Sequence, residues 1–190
     1  IETMKPGDVF VTNDPWMGTG HLFDFVVVSP AYHQDKPVAL FASTCHVIDV
    51  GGRGFTAEAT SVFEEGVRVP HMKLRDQGIL NEQLLGLLGA NSRNPVEVKG
   101  DILSLVSSND TGEMRLREMM DEFNLSSIES LANFIIDNSR EAMIKAVKEI
   151  PNGVYPTDME LDGFEHPIII KAEMTVSDYE VCVDYAGTST

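Results

Sequence analysis

His21, Asp24 and His46 are the residues of this 190-residue chain best suited by type to hold a metal ion. Two neutral imidazoles and one carboxylate leave coordination positions open, which suits a catalytic Zn, Mn or Fe ion better than a closed structural site. Asp14 and Asp49 flank them and can serve as a further ligand, a catalytic carboxylate or the acceptor of an imidazole N–H. Arg68, in Glu64-Glu65-Gly66-Val67-Arg68-Val69-Pro70, has the planar fork that grips a substrate carboxylate, although an ion pair with Glu64 or Glu65 explains it equally well. Spacing alone leaves the blander reading open for the whole set: half-buried, hydrogen-bonded histidines and an aspartate that makes a turn. His71 has no partner at ligand spacing.

A β-hairpin must bring the set together. Phe23–Ser29 and Val38–Val47 are rich in Val, Phe and Ala, and the polar stretch between them carries a proline at each end. Centring the turn near Gln34 makes paired residue numbers sum to about 68, which sets His46 opposite Leu22. Residues three apart on a regular strand point to opposite faces, so the Gly18-Thr19-Gly20 loop or a bulge must turn His21 or Asp24. A short strand from Gly7 to Thr12 delivers Asn13-Asp14-Pro15, either turn formers or holders of a histidine or a substrate polar group, and Trp16 either plugs the core or walls a cavity. Gly51, Gly52 and Gly54 allow either a close approach to a ligand or a plain flexible turn. No lysine follows a glycine, so the Gly-Lys-Ser/Thr phosphate loop of ATP-binding proteins is absent from these residues.

Beyond the hairpin the period changes. Leu84, Leu85, Leu87 and Leu88 predict a helix over Asn81–Asn91, and Asn94-Pro95 opens a second that runs to Phe123, with a break near Gly112. Ser126-Ser127-Ile128-Glu129 starts a third, ending near Lys148 before Pro151-Asn152-Gly153. Val154–Leu161, Pro167–Val176 and Tyr179–Tyr185 alternate as antiparallel strands. The expected class is α+β: a β-rich metal-site region over 1–80, a helical region over 81–150, and strands over 151–190 belonging to a sheet completed by further sequence.

Charge narrows the function. Lys and Arg number 14 against 30 Asp and Glu, a formal net charge of −16 with no basic stripe, which argues against a nucleic-acid partner. No apolar run is long enough to span a bilayer and no basic leader precedes one, so no membrane association is expected. Cys45 and Cys182 lie in expected strands without metal-type spacing, the pattern of a reduced, cytoplasmic protein. Ile1 opens without an initiator Met and Thr190 follows directly on a strand and turn, as in a piece of a longer chain.

Several motifs in order and register, Gly7-Asp8-Val9-Phe10, Asn13-Asp14-Pro15, Gly20-His21-Leu22-Phe23-Asp24, His46-Val47-Ile48-Asp49-Val50-Gly51-Gly52 and Glu65-Gly66-Val67-Arg68-Val69-Pro70, resemble the hydantoinase B/oxoprolinase family. That family includes the metal-bearing subunit of acetone carboxylase, and the resemblance runs through Val183–Ser189. It implies that His21, Asp24 and His46 are the metal ligands, and that a hydantoinase A-type partner in a hetero-oligomer binds ATP and phosphorylates a small-molecule substrate. Cleavage of a cyclic amide is the implied reaction, and ketone carboxylation is the alternative. A noncatalytic scaffold that uses its histidines only for structure is the reading from another class. Two departures, Cys45 and His71 at a position that is usually proline, bear on the substrate more than on the metal.

Overall fold

The computed structural model describes residues 3–163 and 165–189, and these divide into two compact units, Ile1–Ile128 and Glu129–Thr190. The first is a five-stranded antiparallel sheet with two long helices, the second a three-stranded antiparallel sheet with one, so the α+β expectation holds. The expected division at residues 80 and 150 cuts the chain elsewhere. Helices α2 (Glu82–Ala90) and α3 (Pro95–Glu122) pack in the first unit and share its core, whereas α4 (Glu129–Lys148) belongs with the second.

In the first unit the strand order is β3-β2-β1-β4-β5, with β1 Val9–Thr12, β2 Asp24–His33, β3 Lys36–His46, β4 Met72–Asp76 and β5 Ile79–Leu80; a one-turn helix α1 spans Val62–Glu65. The β2–β3 hairpin is longer than its sequence pattern predicts. Pair numbers sum to 70 from Asp24↔His46 to Ala31↔Ala39, and the register slips by one between Ala31 and Tyr32 before the hairpin closes at His33↔Lys36. Gln34 and Asp35 make the turn with φ of 50° and 62°, the left-handed pair of a two-residue hairpin loop. Expecting His46 opposite Leu22 was therefore wrong by two residues, and Asp24 takes that place. A shift of two preserves which face each side chain takes.

Alternation divides that sheet into two faces. Phe25 and Val27 of β2 are wholly buried with Val9, Val11 and Leu74, facing α2 and α3, where full burial of each such side chain contributes about 1.5–3 kcal/mol. Asn109 of α3 is 3% exposed and donates to the Val27 and Phe41 carbonyls at 3.1 and 3.2 Å, registering the helix on the hairpin. Arg75 of β4 makes a bidentate pair with Asp110 at 2.6 and 2.8 Å. Helix α3 runs through Gly112 without a break. A Cβ there would lie 2.6 Å from Phe41 Cε1, so this glycine is a notch for a ring and not a hinge. The other face carries Asp24, Val26 and Val28, all half-buried.

The second unit orders β6 (Gly153–Leu161), β7 (Ile168–Ser177) and β8 (Glu180–Asp184) consecutively, within about a residue or two of expectation. Val147 and Val176 are its buried apolar residues, while Leu131, Phe134, Ile135 and Met143 of α4 are exposed. Among the described residues no helix is long and apolar enough to cross a membrane.

Candidate functional site

The open end of the β2–β3 hairpin carries the three expected ligands. Asp24 and His46 are direct cross-strand partners, and such pairs project from the same face with Cβ atoms about 4.5–5.5 Å apart. His21 precedes the strand in a turn closed by the Asp24 N–H, which donates to the His21 carbonyl at 3.3 Å. That turn answers the parity problem: residues three apart meet, and His21 Nε2 lies 3.2 Å from Asp24 Oδ2. The His21 and His46 ring centroids are 5.0 Å apart.

These spacings can be compared with those of shared ligation. Two imidazoles bound to one ion through nitrogens about 2.1 Å away have centroids on the order of 5 Å apart, and adjacent donors on it lie about 3 Å apart. Both observed separations match. Among the described residues, however, no three His, Cys, Asp or Glu side chains already converge as an ion-holding group. His46 is exposed on its strand. His21 Nδ1 is buried without a hydrogen-bond partner, but it lies on the ring edge away from the Nε2 that faces Asp24, so it says nothing about an ion shared with that carboxylate. His33 Nδ1 shares that property although its Nε2 bonds Asp121 at 2.8 Å. The donor types thus fit a divalent ion, although the three side chains do not converge on one point here.

Two aromatic rings surround the imidazoles. Phe23, wholly buried, stacks on His46 at 5.1 Å, and Phe55, 77% exposed, meets His46 edge-on at 5.0 Å and His21 at 5.8 Å. Phe55 was not singled out in the sequence, because its only signal is its place beside Gly54. Burial, then the charges of Asp101 and Asp24, push the neighbouring Cys45 thiol up, so a neutral thiol adjoins His46 in the chain.

Asn13 turns out to be the fastener of the site and not merely a turn former. It is fully buried; its amide donates to the Leu22 carbonyl at 2.7 Å and the Val67 carbonyl at 2.9 Å, and its oxygen accepts from the Val69 N–H at 2.6 Å. Glu65 accepts from the Leu22 N–H at 3.2 Å. The turn bearing His21 is therefore tied to the 65–69 segment from both sides.

The remaining expected residues occupy two other places. Asp14 accepts from the Trp16 N–H at 3.0 Å and faces Arg68 Nε at 3.8 Å, while the Arg68 guanidinium lies 5.9 Å from the Trp16 ring centroid. Trp16 is 69% exposed, so it does not plug the core. Arg68 pairs with Asp14 and not with Glu64, which takes Arg53 at 3.0 Å. Asp49 is 4% exposed and accepts from Arg93, Ser92 and the Gly51 N–H, binding the 49–52 loop to the α2–α3 connection. Burial raises its carboxyl, and those donors outweigh burial to hold it below the usual carboxylate range. Gly51 and Gly52 approach protein closely: Gly52 has φ +53°, and a Cβ on it would collide with the Glu64 carbonyl, whereas Gly54 has open space around it.

The hydantoinase B/oxoprolinase family model matches residues 1–190, and the chain belongs to that family. The 5-oxoprolinase 1 of Arabidopsis thaliana is 25% identical over 216 aligned positions, covering 99% of this chain and 17% of its own length. In fold, the chain superposes on the ATP-dependent caprolactamase from Pseudomonas jessenii with a TM-score of 0.88 at 24% identity, covering 96% of this chain and 32% of that one. Acetone carboxylase in its nucleotide-free structure gives 0.83 at 21%, covering 97% and 27%. The chain thus spans about a third or less of the length of these relatives.

Proposed function

We propose that these residues form part of the metal-bearing subunit of an ATP-dependent enzyme that opens cyclic amides, with His21, Asp24 and His46 binding one divalent Zn, Mn or Fe ion. The observation carrying this reading is the placement of Asp24 directly across from His46 with His21 Nε2 at 3.2 Å, at the end of a hairpin in a chain of this family. When bound, such an ion polarises a carbonyl or phosphoryl oxygen and acidifies water. The protein's own contribution is positional. Asn13 and Glu65 fix the His21 turn, Phe23 and Phe55 shield the imidazoles, and Arg68 is exposed enough to bind an anionic substituent while Asp14 steers it. Asp49 acts at a distance by holding the loop that follows His46.

ATP chemistry falls to a hydantoinase A-type partner subunit in a hetero-oligomer, or to another domain of the same type. Phosphorylating the amide oxygen turns a poor leaving group into a good one, which explains the use of ATP on an unreactive lactam. Ketone carboxylation uses the same activation and is the second reading; a substrate panel decides between them.

Elemental analysis of the full-length protein purified with its partner tests the assignment: about one divalent ion per chain is expected, and His21→Ala removes it. Retention of the metal in His21→Ala discards the ligand set. An empty wild-type protein without ATP-dependent turnover favours the scaffold reading.

A further inference from the structure

A cavity of 140 Å³ opens on the outer face of the first sheet, lined by Phe10, Thr12, Met17, Val26, Val28 and His71. Strand alternation places it in line with the imidazole–carboxylate cluster. Asp24, Val26 and Val28 share one face of β2, Thr12 pairs with Val26, and Phe10 pairs with Val28. Val26 is two residues along from Asp24, roughly 7 Å away. The wall is apolar except for the Thr12 and His71 side chains, and an apolar cavity of about 150 Å³ accommodates a molecule the size of benzene. His71 is otherwise unexplained: it is exposed and has no partner at ligand spacing.

We infer that this cavity holds the hydrocarbon body of the substrate, a compact ring of five to seven atoms, and that His71 selects among such rings by hydrogen-bonding a polar substituent at the mouth. The inference rests on the proposed reaction, and it deepens that proposal by naming where the unreactive part of the ring sits. A ring seated against Val26 and Val28 directs its amide along β2 toward Asp24 and His46. Met17 and Gly18 close the cavity from the loop that leads into His21, so one segment shapes both the pocket and the ligand turn.

The test is calorimetric titration of the full-length protein with ε-caprolactam, an uncharged seven-membered ring, and 5-oxoproline, a five-membered ring bearing a carboxylate. The wild-type protein binds at least one. Val26→Phe fills the cavity and weakens that binding at least tenfold with metal content unchanged. Met17→Ala, at an exposed loop position where folding is not at stake, widens the cavity and shifts preference at least threefold toward the larger ring. His71→Ala removes the preference between the two, and His71→Gln restores it in part. Failure of both rings to bind the wild-type protein, or unaltered affinities in a folded Val26→Phe and in Met17→Ala, overturns the inference. Metal content and ATP-dependent turnover report separately on the reaction, so the pocket and the chemistry fail independently.

Discussion

Replacing Asn13 by alanine removes one side chain and orphans three backbone groups. The amide and its oxygen bond Leu22 O, Val67 O and Val69 N–H at 2.7, 2.9 and 2.6 Å, in a position with no exposed surface. Each buried group left unpaired costs about 1–3 kcal/mol, and partial entry of water brings the expected loss for the set to about 3–5 kcal/mol. For a chain of this size that is on the order of 10 °C in Tm. The loss falls where it matters for chemistry, because the Leu22 carbonyl belongs to the turn that presents His21. Asn13→Asp is expected to be at least as harmful, since a carboxylate then faces two carbonyls that need donors. Thermal unfolding followed by two spectroscopic probes reads the stability, and elemental analysis reads the site. A Tm within about 2 °C of wild type, with full metal content, would refute the fastening role of Asn13.

Three further outcomes follow from the geometry. Gly112→Ala puts a methyl against Phe41 at 2.6 Å, so an overpacking cost of about 1–3 kcal/mol outweighs the helix-propensity gain of about 1 kcal/mol; Phe41→Leu in the same chain relieves it, measured by urea unfolding. Replacing Gln34-Asp35 with Asn-Gly, better suited to two left-handed residues, stabilises the hairpin by about 0.5–1 kcal/mol on the same assay. Asp8 and Asp49 are both raised by burial but lowered further by their donors, so each folded-state carboxyl titrates below its unfolded value. Their stabilisation is present above the usual carboxylate range and disappears as pH falls through the lowered values, so acid unfolding of Asp49→Asn shows a shallower pH dependence than wild type.

Periodicity carried most of the fold. The hairpin, the three longer helices and the last three strands have local signatures, such as Asn81, whose side chain accepts from the Leu84 N–H at 3.0 Å as a cap residue should. The short α1, β4 and β5 were not foreseen. What misled was the stretch from Pro30 to Pro37. A proline reads as a strand end, yet β1 pairs with β2 only at Val26–Val28, so at Pro30 the missing N–H faces an edge that makes no bond and the strand continues. Gly112 misled in the same way, because its neighbour Phe41 is distant in sequence. At the site, His21, Asp24 and His46 were legible as residue types brought to one hairpin end, whereas the pairing of Arg68 with Asp14 was not. Phe55, Glu65 and the fastening role of Asn13 were not, since each depends on a contact across more than twenty positions or on a loop without a period.

Strand β2 assigns its two jobs by parity. Odd-numbered Phe25 and Val27 maintain the interior, whereas even-numbered Asp24, Val26 and Val28 look outward and touch none of it. A library randomised at 26 and 28 can therefore explore new ring preferences while the scaffold stays intact, and one randomised at 25 and 27 mostly returns proteins that do not fold. A duplicated gene with this architecture could drift toward a different small molecule by the same route, one outward-facing position at a time.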